Sequence, residues 1–86
     1  MSAPGVTNRA ELTLADLKPG ESGRVTGFTE DGDVPSRVLE MGVLPGTDVT
    51  VVRLAPLGDP IDVHVRGYHL SLRADEARLV RVIRTA

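Results

Sequence analysis

His64 and His69 stand in a stretch where apolar and polar residues alternate: Ile61, Val63 and Val65 with Asp62, His64 and Arg66, then Tyr68, Leu70 and Leu72 with His69, Ser71 and Arg73. A period of two gives each strand one apolar and one polar face. With Arg66-Gly67 as a hairpin turn, Val65 faces Tyr68, Val63 faces Leu70 and Ile61 faces Leu72, all six inward. His64 then lies opposite His69 on the outer face, with Cβ atoms about 5 Å apart. Two imidazoles so placed can share one divalent metal, and Asp62, on the same face, is a candidate third ligand. No clear fourth ligand follows, so the reading is a weak site for Fe2+, Zn2+ or Ni2+ and no required cofactor. The alternative is two solvated histidines. Arg-Gly is imperfect chemistry for a two-residue turn, but a one-residue slip would bury His69 and Ser71, so the face pattern sets the register.

A second candidate is the loop Pro56-Leu57-Gly58-Asp59-Pro60. Two prolines stiffen it, which lowers the entropy lost on binding, and Leu57 is placed as an exposed apolar anchor. Read as architecture alone, the loop sets the angle between two strands. Arg37, on a short helix, is either a solvated cation or an ion-pair partner. Catalysis has no support: there is no glycine-rich phosphate loop, no cysteine and no serine patterned with a base.

The elements that position these residues must fit one small domain, since 86 residues leave room for no more. The absence of cysteine excludes disulfides and thiolate metal sites, so apolar packing must hold the fold. Val and Leu dominate the apolar set, which favours a pleated sheet. A net charge of -2 and two aromatics, Phe28 and Tyr68, argue against nucleic acid, which needs clustered cations and stacking platforms. No run approaches the ~20 apolar residues of a membrane span, and Met1–Ala10 lacks a signal-peptide core. The expectation is a cytoplasmic chain with no direct membrane insertion.

Residues 1–10 read as a mobile tail and 11–86 as the domain. A helical turn is expected near Leu14–Leu17 with Thr13 as cap, a first strand over Ser22–Thr29 ending in Glu30-Asp31-Gly32-Asp33, and a helix over Pro35–Met41 stopped by Gly42. Pro45-Gly46 suits a type II turn. A second strand follows over Thr47–Leu54, then the hairpin strands, a brief turn over Arg73–Ala77, and a fifth strand over Arg78–Arg84 with Leu79 or Val80 and Val82 available to the core. The fold class is mainly β: a small five-stranded SH3-like barrel with one or two short helices, closure removing exposed edges. Remaining edges and the apolar loop leave homo-oligomerisation open.

Three blocks, Ser36–Thr47, Ala55–Ile61 and Leu70–Arg73 with Glu76-Ala77, together with their spacing, resemble the FeoA family from Glu11 onward. Val38 and Met41 stand where leucines are usual. The resemblance implies an SH3-like barrel in the bacterial cytoplasm that serves ferrous iron uptake by binding the cytoplasmic region of the FeoB transporter. It also implies a candidate role for Arg37, since an arginine supplied in trans can stabilise phosphoryl transfer in a GTPase. Iron-dependent repressors end in a related domain, so a metal-responsive regulator is the alternative; no helix-turn-helix pattern precedes the domain in this sequence, which favours transport.

Overall fold

The computed structural model describes residues 12–29 and 33–85. The expected tail over Met1–Ala10 and residues 30–32 of the polar cluster lie outside the described residues. Six strands form one antiparallel sheet: β1 (Leu12–Thr13), β2 (Ser22–Phe28), β3 (Asp48–Leu54), β4 (Ile61–Val65), β5 (Tyr68–Leu72) and β6 (Val80–Arg84), in the order β1-β6-β2-β3-β4-β5. Two short helices, α1 (Ser36–Glu40) and α2 (Ala74–Ala77), complete a mainly β fold. No described helix is long and apolar enough to cross a membrane.

Among the described residues the expected count of five strands is therefore corrected to six. The addition is β1, which pairs Leu12 with Val82 and Thr13 with Arg81; two residues carry no periodicity by which to announce a strand. A single 3₁₀ turn over Leu14–Asp16 follows it, and the Asp16 carboxylate accepts the Thr13 N–H at 2.8 Å, so the carboxylate caps the turn's start. Leu14 and Leu17 are buried beneath it.

The hairpin follows the alternation. Ile61 pairs with Leu72, Val63 with Leu70, His64 with His69 and Val65 with Tyr68. Arg66 and Gly67 take φ of 51° and 93°, the left-handed pair that a type I′ turn requires. One inward assignment is corrected: Tyr68 is 52% exposed. It sits beside the turn on β5, at one end of the sheet, where no further described strand pairs beyond it.

The core is aliphatic. Val25, Val49, Val51, Val63, Val65 and Val82 are fully or almost fully buried on the inner sheet face, each worth about 1.5–3 kcal/mol of apolar burial. Val38 of α1 and Ala77 of α2 close over it. Helix α1 starts at Ser36, one residue later than Pro35, because Pro35 keeps an extended ψ of 140°. Gly42 then takes φ of 97° after the helix, and Gly46 takes 92° in the turn where the Thr47 N–H donates to the Leu44 carbonyl at 3.0 Å.

Candidate interaction surface and histidine pair

Helix α2 is a junction between the Pro56–Pro60 loop and α1. Its first N–H, that of Ala74, donates to the Asp59 carboxylate at 3.1 Å. Its Glu76 accepts two hydrogen bonds from Arg37 of α1, from Nε at 2.9 Å and from Nη2 at 2.5 Å. The Arg73 N–H adds a third at 2.9 Å. The Pro56–Pro60 loop and α1 are thus tied to the same short helix by polar contacts between segments remote in sequence.

Of the two local roles open to Arg37, solvated cation or ion-pair partner, the second holds. Its side chain is 48% exposed and that of Glu76 is 10% exposed, so the pair bridges from the surface to the flank of the core. Burial pushes the Glu76 carboxyl upward, but the bonds from Arg37 and Arg73 outweigh it and hold the group below its ordinary value. A guanidinium held at both ends of a carboxylate is a fixed strut, because the planar fork matches the carboxylate geometry.

The loop presents Leu57 to solvent without cover. Residues 55–58 form a tight hydrogen-bonded turn, not a helical one, in which Leu57 and Gly58 take φ of 73° and 79°. The Gly58 N–H donates to the Ala55 carbonyl at 2.7 Å and the Ala55 N–H to the Pro60 carbonyl at 3.0 Å, which closes the loop's base. Asp59 anchors it to α2 as described, so the apolar tip stands on a braced support. An exposed leucine in the left-handed region is unfavourable twice over, by strain and by hydration.

On the outer face of β3, β4 and β5, the His64 and His69 rings lie with centroids 5.0 Å apart and planes tilted by 53°. The hydrogen bonds of Asp62 go elsewhere, although His69 lies near enough to favour its charged form. Its Oδ1 accepts the Ser71 hydroxyl at 2.6 Å, and its Oδ2 accepts Arg53 Nη2 at 2.9 Å and Nε at 3.2 Å. The bonds from Ser71 and then Arg53 hold the Asp62 carboxyl below its ordinary value, against a small desolvation. Among the described residues no three His, Asp or Glu side chains are grouped to hold a metal. An open depression of about 470 Å3 lies alongside, lined by Val52, Arg53, Asp62, His69 and Ser71. Arg53 reaches Asp62 because the sheet register shifts between Val51 and Arg53, leaving Val52 as the bulged residue and Arg53 opposite Asp62.

Residues 12–84 match the model of the FeoA domain. The chain belongs to the FeoA family. Over 71 residues it is 34% identical to the Fe(2+) transport protein A/Fe(2+) transporter FeoB fusion protein of Porphyromonas gingivalis, a match covering 83% of this chain and 8% of that protein's length. The FeoA-like protein of Clostridium acetobutylicum has a solved structure that superposes with a TM-score of 0.81 at 31% identity over 90% of each chain. FeoA of Stenotrophomonas maltophilia, solved in complex with zinc, superposes with a TM-score of 0.69 at 29% identity over 83% of this chain and 88% of that one.

Within this FeoA domain, sequence reasoning placed Arg37, Leu57 and both histidines on the surfaces where they stand, but it missed Glu76, Arg53 and the bracing role of Asp59. Glu76 and Arg37 are 39 residues apart, and no local pattern links them. Asp59 gave no local signal either: its loop leads into β4, and the helix whose first N–H it accepts begins 15 residues later.

Proposed function

We propose that this FeoA domain is a cytoplasmic accessory of ferrous iron uptake that binds the cytoplasmic region of an FeoB-type transporter and modulates it, without catalysing a reaction itself. The observation that carries this reading is the relative in which an FeoA and an FeoB share one polypeptide. Covalent fusion holds two modules at high effective concentration, an arrangement suited to partners that must meet.

The contact is the Pro56–Pro60 loop, with Leu57 entering an apolar pocket of the partner, and α1 with Arg37 beside it. Leu57 is fully exposed on a loop braced by the Asp59 bond to Ala74, so docking it buries apolar area and orders little that is not already ordered. Arg37 contributes by holding α1 in place through Glu76 and not as a free catalytic arginine. The sheet is read as an SH3-like barrel that fixes the angle between loop and helix, and divalent metal is an occasional ligand of the domain.

The test is titration calorimetry of the chain against the isolated cytoplasmic region of its FeoB, with and without guanine nucleotide, using wild type and Leu57→Asp. Saturable 1:1 binding that Leu57→Asp abolishes supports the proposal. Binding that Leu57→Asp leaves unchanged moves the contact elsewhere on the domain, and no binding in any nucleotide state defeats the reading.

A further inference from the structure

The register of the hairpin holds His64 and His69 directly opposite one another, with Val63 and Val65 buried on the other side of β4. Their anchor points are therefore fixed by the core. A metal about 2.0–2.1 Å from a ligating nitrogen lies about 3.2 Å from that ring's centre, so two imidazoles bound side by side have centres about 4.5 Å apart at a right angle and about 5.2 Å apart at the tetrahedral angle. The observed 5.0 Å falls inside that window before any adjustment of the strands. Both rings lie on the exposed face, which leaves the remaining coordination positions to water.

We infer that His64 and His69 form a two-imidazole chelating site bridging β4 and β5 that takes late first-row divalent ions, Cu2+, Ni2+ and Zn2+, in preference to Fe2+. The carboxylate nearest in sequence, Asp62, is engaged by Ser71 and Arg53, and among the described residues no third His, Asp or Glu is grouped with the pair, so the donors the protein supplies are the two imidazoles. Sites of this kind follow the general order of divalent affinity, in which copper binds tightest, nickel and zinc bind strongly and ferrous iron lies lower. The site therefore responds to metals other than ferrous iron, and a bound ion crosslinks the two strands of the hairpin. This inference is independent of any transporter partner.

The chain has two histidines, so its imidazole C–H resonances report on these two rings alone. A tag-free chain is titrated with Zn2+ by NMR, and affinities for Zn2+, Ni2+ and anaerobic Fe2+ are compared by calorimetry. Both rings are expected to shift together to a 1:1 end point, with Zn2+ and Ni2+ binding more tightly than Fe2+. His64→Ala and His69→Ala, and the polar His64→Asn and His69→Asn, each weaken Zn2+ by at least about tenfold, with the amide spectrum confirming an intact fold. Asp62→Asn changes Zn2+ affinity by no more than about fivefold, the scale of one exposed charge. Shifts in one ring only, Fe2+ binding as tightly as Zn2+, or an Asp62→Asn loss equal to that of the histidine variants would each overturn the site as described.

Discussion

Arg37 and Glu76 form a two-point ion pair, Nε to Oε2 at 2.9 Å and Nη2 to Oε1 at 2.5 Å, that joins α1 to α2 across the edge of the core. Because Glu76 is 8% exposed, removing the arginine leaves a largely buried carboxylate with one remaining backbone donor, that of Arg73.

Arg37→Ala is expected to destabilise the domain by about 2 kcal/mol, less than the ~3–5 kcal/mol of a fully buried pair because the guanidinium is half exposed. Urea denaturation measures it. A loss below ~0.5 kcal/mol would mean that the pair is an ordinary surface contact.

The same carboxylate shapes the acid limb of stability. Glu76 has a folded-state pKa below its unfolded value, so its contribution is fully present above the ordinary carboxylate pKa of about 4.3. It is lost as pH falls through that value and the lower folded one. Glu76→Gln should therefore lower stability at neutral pH and flatten the decline below about pH 4.5. A variant whose acid limb parallels wild type would remove Glu76 from this role. Asp62 shifts in the same direction, and its share remains in the variant.

Leu57 should be dispensable for folding. Its side chain is fully exposed and its φ is 73°, a conformation that Asn tolerates better. Leu57→Asn is expected to leave stability unchanged or raise it by up to about 1 kcal/mol, read as a shift in melting temperature. Destabilisation would mean that Leu57 packs against the domain.

Gly42 has no such tolerance. It takes φ of 97°, and a Cβ there would meet the Arg66 Cδ at 2.9 Å. The flexible arginine can move, so the backbone strain decides the outcome, and Gly42→Ala should destabilise by about 1–2 kcal/mol. Adding Arg66→Ala should recover little of that loss. Full recovery in the double variant would assign the effect to the side-chain contact instead.

These sites differ in how far their sequence disclosed them. Alternation from Ile61 to Arg73 set the hairpin's register and the facing of His64 and His69, because one residue of slip would have buried polar groups. The same logic failed at Tyr68, whose inward parity was right but whose position at the rim of the sheet left the ring uncovered. At Val51-Val52-Arg53 alternation would put Arg53 on the face of Val51, but the bulge turns Arg53 toward Asp62; a bulge inserts one residue and resets the parity without marking the chain. The Arg37–Glu76 pair and the Asp59 bond to Ala74 depend on how loops return to the core. Neither has a local period.

The most direct test of the central reading is calorimetric titration of the chain into the isolated cytoplasmic region of its FeoB. The account predicts saturable 1:1 binding that Leu57→Asp abolishes while the variant's fold stays intact. Absence of binding by the wild-type chain in every nucleotide state would contradict it.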